Sequence, residues 1–166
     1  MPITVAKLVH NCRQILLEDS GPEGRIQVAA LLSEILSDQA NVDALITADT
    51  SERDVLYEDP DLGFCIIAHV FKEAKVTKPH HHGPAWAIYA QASGETKMTD
   101  YEWATPDTKK VPGKVRATKT YDLKPGDAHV YNEGELHAPT RVGPTSMIRI
   151  EGIDLTTVHR RLYEAV

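Results

Sequence analysis

Three successive histidines, His80-His81-His82, lie between Pro79 and Gly83-Pro84, and a further histidine closes the run Gly134-Glu135-Leu136-His137. On an extended segment, residues i and i+2 project to one face and i+1 to the other. His80 and His82 are thus placed to converge on one metal ion, while His81 faces away. His137, launched from a glycine-bearing turn, is the candidate third ligand. Neutral imidazole suits iron, zinc, copper or nickel, and three imidazoles leave coordination positions open for oxygen or substrate. A closed structural zinc site wants four protein ligands, often thiolates. The chain has two cysteines, Cys12 and Cys65, each inside an apolar pattern and read as a reduced core residue. The pattern points to an open site that is catalytic or binds a small molecule. His129 is the competing ligand, read first as a barrel residue beside the site. His10, His69 and His159 carry no spacing signal and read as surface or core.

The elements that must position these residues fall into two textures. Val5, Leu8, Val9, Cys12 and Leu16 recur at helical spacing, and Glu18-Asp19-Ser20-Gly21-Pro22 ends the run. Val28, Leu31, Leu32, Ile35 and Leu36 mark a second helix, and Asn41 to Ile46 a short third turn or helix. From about Arg53 the chain reads as short strands separated by turns: Phe64–Phe71, Trp86–Ala92, Glu95–Trp103, Val115–Leu123, Ala128–Tyr131 and Ser146–Glu151. Lys72 to Lys75 is a turn into the histidine segment, and Thr105–Lys114 is a polar loop. Asp154–Tyr163 is expected to close the chain as a short helix. The fold class is therefore mainly β, a sandwich or small barrel, with a helical layer over residues 1–48, a barrel over 53–153 and a C-terminal segment over 154–166.

At 166 residues the chain is expected to form one domain with a sizeable core. A net charge of -6 without a basic stripe argues against nucleic acid as a partner. No charged segment followed by a long apolar run opens the chain, and no stretch is long enough to span a bilayer. The expected compartment is the cytoplasm, with no membrane partner.

The histidine pattern resembles the cupin superfamily, whose double-stranded β-helix carries two half-motifs. His80, His82 and Gly94 match the first; Pro125-Gly126-Asp127 and Gly134-Glu135-Leu136-His137 match the second, over roughly Asp54 to Gly152. The acidic ligand of the first motif would fall near Ala87, which binds no metal, so a three-histidine centre is implied. Within cupins the segment from Arg53-Asp54-Val55-Leu56 through Phe64-Cys65-Ile66 to Pro79–Trp86 is similar to cysteine dioxygenase and its thiol-dioxygenase relatives. That resemblance implies one divalent ion, Fe(II) first with Zn, Ni or Mn as alternatives, and a small substrate together with O2. It aligns Arg53 with the arginine that holds the substrate carboxylate. The family's Ser-x-His-x-Tyr triad falls on Met147–Glu151, which has neither histidine nor tyrosine, so cysteine as substrate does not carry over. Cupins often pair through their outer sheets, which leaves a homodimer open.

Around this centre, Arg53 is a candidate carboxylate clamp, because guanidinium binds carboxylate bidentately; the other reading is a surface ion pair with Glu52, Asp54 or Glu58. Arg149 and Glu151 share one face of their strand, either as a buried, substrate-reading pair or as solvated residues. Trp86 and Tyr89 read first as barrel packing; Tyr89 shares the face of Ala87 and is the candidate substrate wall, with Trp86 and His129 as candidate neighbours of the site. Beside the dioxygenase reading stand a lyase, isomerase or hydrolase that uses the ion as a Lewis acid, and a non-catalytic sensor.

Overall fold

Helix α1 (Val5–Glu18) starts where the Thr4 hydroxyl accepts the Lys7 backbone N–H at 3.1 Å. Helix α2 (Pro22–Leu36) places proline in its first turn, where the missing N–H costs nothing. Helix α3 (Gln39–Leu45) is capped by Asp38, which accepts from Ala40 N–H at 2.9 Å. The computed structural model describes residues 1–166. After the helices come β1 (Asp54–Glu58), β2 (Cys65–Phe71), β3 (Lys75–Val76), β4 (Ala87–Ser93) and β5 (Thr96–Thr105). They are followed by β6 (Lys114–Leu123), β7 (Ala128–Tyr131), β8 (Leu136–Arg141), β9 (Thr145–Glu151) and β10 (Glu164–Ala165).

The strands form two five-stranded sheets, ordered β1-β2-β9-β4-β7 and β10-β6-β5-β8-β3. Every pairing is antiparallel except that of β10 with β6. Apart from the pairs β1-β2 and β5-β6, consecutive strands alternate between the sheets, which is a double-stranded β-helix with its helical layer on one face. The helices cover the outer face of the first sheet. There Leu8, Cys12, Val28 and Leu32 pack against Ile66, Ile88, Ile148 and Ile150 in one cluster, all of them fully enclosed. Burying such side chains contributes about 1.5–3 kcal/mol each. Between the sheets a second cluster holds Phe71, Ala87, Tyr89, Met98, Tyr131 and Met147.

Strand pairing arranges the inner face of the first sheet in rows. Cys65, Glu151, Ala87 and Tyr131 form the first row, and Ile67, Arg149, Tyr89 and His129 the second. His69, Met147 and Gln91 form the third, and Phe71 with Thr145 the fourth.

The C-terminal segment departs from the expected helix. Only Leu155–Thr157 coil, as one 3-10 turn capped by Asp154, whose carboxylate is also engaged by Arg53 at 3.0 Å. The chain then runs back extended: Tyr163 N–H donates to the Pro79 carbonyl at 2.9 Å, and β10 adds to the edge of the second sheet. The backbone hydrogen bonds that a helix would satisfy internally are taken by strand partners instead. Lys72–Lys75 likewise ends in a short strand rather than a turn alone, since β3 pairs with the end of β8.

Candidate metal centre

His80 and His137 face each other across a two-way backbone bridge: His80 N–H donates to the His137 carbonyl at 3.0 Å and His137 N–H to the His80 carbonyl at 2.9 Å. The loop bearing His80 is thereby tied to the start of β8. Two residues further on lies His82, and Gly83 turns the chain at φ +63, a conformation that favours glycine. The three imidazoles are buried, at 1% exposure or less. Their ligand atoms all lie within 4.8 Å of one another.

Tautomers follow from the partners. The Nδ1–H of His80 donates to the Lys78 carbonyl at 2.8 Å, and that of His137 to the Glu135 carbonyl at 2.9 Å. A carbonyl only accepts, so both rings keep a lone pair on Nε2. His80 Nε2 is buried with no partner, and so is His82 Nδ1. His82 Nε2 stands 3.0 Å from His137 Nε2. Two nitrogens bound at about 2.1 Å to one ion, at right angles, are about 3.0 Å apart. Burial, reinforced by Arg149 and the neighbouring imidazoles, pushes the His82 and His137 pKa values far down. Burial takes His80 to about 4. All three are neutral at pH 7, the form that binds metal. The orphaned Nε2 of His80, the neutral rings and the tautomers fixed at His80 and His137 fit a divalent ion held by His80, His82 and His137.

The surrounding aromatic groups hold the rings in place. Tyr131 stacks on His137 with centroids 4.1 Å apart, and its hydroxyl bonds that of Tyr121 at 2.6 Å. The Tyr89 hydroxyl lies 3.3 Å from His82 Nε2 and 3.4 Å from His137 Nε2. His81 faces away, stacked on Tyr163 beside Trp103.

A cavity of about 300 Å³ adjoins the centre, lined by His80, Tyr89, Arg53, Arg141, Arg149 and Arg160 among others. The Arg53 guanidinium is committed to the protein's own carboxylates, Glu151 at 2.9 and 3.0 Å and Asp154 at 3.0 Å, rather than to Glu52, Asp54 or Glu58. Glu151 is fully enclosed and also meets Arg149 at 3.2 Å and Leu155 N–H at 2.9 Å. Burial opposes its ionisation, but the bonds from Arg53, the charge of Arg149 and the Leu155 N–H together hold its carboxyl below the usual range. Arg149 lies over the Tyr89 ring at 4.8 Å. The face shared by Arg149 and Glu151 therefore points inward.

Two candidate residues lie elsewhere. Trp86 packs in the helix-facing cluster with the Arg25 guanidinium 4.9 Å over its ring, because Trp86, Ile88 and Ala90 form the face opposite to Ala87 and Tyr89. His129 packs, with tilted rings, against Tyr131 at 4.6 Å and Tyr121 at 5.1 Å between centroids, outside the group of three. The cavity also contains residues that the spacing did not single out: His69, Arg141 and Arg160. A sequence signal existed for Arg141, which stands four residues after His137 on one strand and so shares its face.

Among solved structures, the fold is similar to a cupin superfamily protein from Desulfitobacterium hafniense, with 19% identity and a TM-score of 0.46 over 67% of this chain and 86% of that one. It is also similar to a conserved protein with a double-stranded β-helix domain from Klebsiella pneumoniae, with 14% identity and a TM-score of 0.47 over 74% and 88%. KdgF from Halomonas sp. shares 20% identity, with a TM-score of 0.43 over 60% and 75%. No family model and no curated protein matches the sequence. No helix is long and apolar enough to cross a membrane.

Proposed function

We propose that the chain is a metal-dependent enzyme, a non-haem iron(II) dioxygenase similar to the thiol-dioxygenase branch of the cupins, acting on a small anionic substrate and O2. The observation that carries this reading is the meeting of two features: three buried neutral imidazoles gathered around one point, and an arginine-rich cavity reaching His80 and Tyr89. Neutral ligands leave the ion its full charge, so a bound iron would activate oxygen and attract an anionic thiolate or enolate.

His80, His82 and His137 hold the ion in this reading. Arg149, steadied by Glu151 and by the Tyr89 ring, keeps a cation beside the reacting end of the substrate. The Tyr89 hydroxyl, within reach of two ligand nitrogens, donates a hydrogen bond to whatever oxygen or sulfur of the substrate lies there. The same hydroxyl favours a second reading, a lyase or isomerase using zinc or nickel, in which a proton is returned to the substrate without oxygen consumption. Elemental analysis of untagged protein, with oxygen uptake on thiol-carboxylates and enolisable ketones, tests both. Near-stoichiometric iron and oxygen uptake, both lost in His137→Ala, are expected. Oxygen-independent turnover with zinc or nickel supports the second reading, and full activity in His137→Ala overturns both.

A further inference from the structure

The rows of the inner face divide the cavity into two ends. Tyr89 and Arg149 occupy one row, His69 lies one row beyond, and Phe71 two rows beyond. At about 3.4 Å per strand residue, these rows lie about 7 and 14 Å past Tyr89. On the opposite sheet Arg141 follows His137 by four residues on the same face of β8, a similar distance along. One end therefore holds His80 and Tyr89, and the other holds His69, Phe71 and Arg141.

The far end carries two polar groups whose bonding is incomplete. Arg141 is 4% exposed, with its guanidinium 4.2 Å over the Phe71 ring and one N–H 3.7 Å from Met147 Sδ. Its Nε has no partner, and no carboxylate pairs with it. Burial, with Arg149 nearby, lowers its pKa to about 10, which leaves it a cation at neutral pH. An uncompensated buried charge is expensive to fold around unless a ligand supplies the counter-charge. His69 stacks on the same Phe71, and its Nδ1–H donates to the Glu52 carbonyl at 2.6 Å. Its Nε2 is thus a buried acceptor with no donor. The nearby Glu52 carboxylate is exposed and engaged by Lys75 at 2.5 Å.

We propose that this end binds the terminus of a hydroxy-carboxylate, whose carboxylate Arg141 takes in a forked pair while His69 Nε2 accepts from the adjacent hydroxyl. The rest of the molecule extends along the cavity to the metal end. This assignment rests on the proposed function for its reacting end only, because the recognition end needs no ion. An ammonium in place of the hydroxyl also donates to His69, but it adds a cation to a site already facing Arg141, Arg149 and Arg160. The distance between the ends also disfavours two- and three-carbon acids, which engage only one of them.

Calorimetric titration of metal-free and metal-loaded protein with 2-hydroxyadipate, adipate, 2-aminoadipate and glycolate tests this. 2-Hydroxyadipate is expected to bind most tightly, with Arg141→Gln weakening it at least tenfold and the exposed control Arg116→Gln changing nothing. The preference over adipate is expected to be severalfold and to vanish in His69→Phe. If Arg141→Gln fails to fold, Arg141→Lys carries the test, with a severalfold loss expected. Unchanged binding in the Arg141 variant overturns the proposal, as does 2-aminoadipate binding as tightly as 2-hydroxyadipate. Wild-type protein that holds no metal overturns the proposed function instead and leaves the metal-free titrations readable.

Discussion

Along β9 the side chains alternate between two environments. Ile148 and Ile150 turn outward into the helix-facing apolar cluster, where both are fully enclosed. Met147, Arg149 and Glu151 turn inward, where a fully enclosed carboxylate is shared by two arginines and Arg141 finds no carboxylate at all. The outer face gains its free energy from burial, which is non-directional and tolerant of detail. The inner face holds charges and lone pairs that are costly to enclose unless they are paired. One strand thus joins a face held by apolar burial to a face that encloses charge, the face that the proposed function uses.

The largest break in this contrast is expected at His137. His137→Ala should lower metal affinity more than hundredfold, as loss of one of three ligands, while leaving the unfolding free energy of metal-free protein within about 1 kcal/mol. Elemental analysis and urea unfolding of stripped protein measure the two quantities. An equal loss of both would mean that the histidines serve packing. The converse change is Ile148→Ala on the other face of β9, which should cost about 2–5 kcal/mol in urea unfolding. Metal bound per folded molecule should stay unchanged.

Glu151→Gln lies between these cases. It leaves Arg53 and Arg149 without the carboxylate they share, and a loss of about 3 kcal/mol is expected by the same unfolding measurement. If Glu151→Gln is neutral, the inner charges are better solvated than their burial indicates, and the contrast between the two faces is weaker than drawn.

How far these features could be read from sequence follows the same division. The helices and most strands show in the periodicity of residues such as Leu8, Cys12 and Leu16, because one face of each helix meets solvent and the other meets the core. The His80–His82 pair stands out because period-two geometry is local. β2 has both faces buried, so its run from Cys65 to Phe71 shows no alternation and nothing in it reveals which way His69 points. The side that Trp86 takes is hidden for a related reason: the Gly83 turn separates it from the histidines, and only the strand phase of Ala87 and Tyr89 sets it. The pairing of Arg53 with Glu151 joins residues 98 positions apart. The edge strand β10 likewise exists only through its distant partner β6, and no local pattern marks it.

The smallest predicted effect lies on the helical side, where a buried carboxylate is fully satisfied. Asp59, 2% exposed, takes both Arg13 and the Tyr57 hydroxyl, as well as the N–H groups of Asp61 and Leu62 at 2.9 and 2.7 Å. Burial alone would raise its pKa, but Arg13 and the two backbone N–H groups bring it down to about 2. Its folded pKa lies below its ordinary value of 3.8, so its contribution is complete above about pH 4 and is lost as the pH falls toward 2. Because Asp59 meets one arginine, itself a quarter exposed, where Glu151 meets two, Asp59→Asn should cost about 1 kcal/mol at neutral pH. Unfolding followed between pH 5 and 2 should show a shallower loss of stability in the variant, with the two proteins converging at the acid end. Parallel curves would mean that the link between α1 and the turn after β1 rests on its backbone hydrogen bonds. The polar groups on the helical side would then matter even less to its stability than the contrast with the inner face requires.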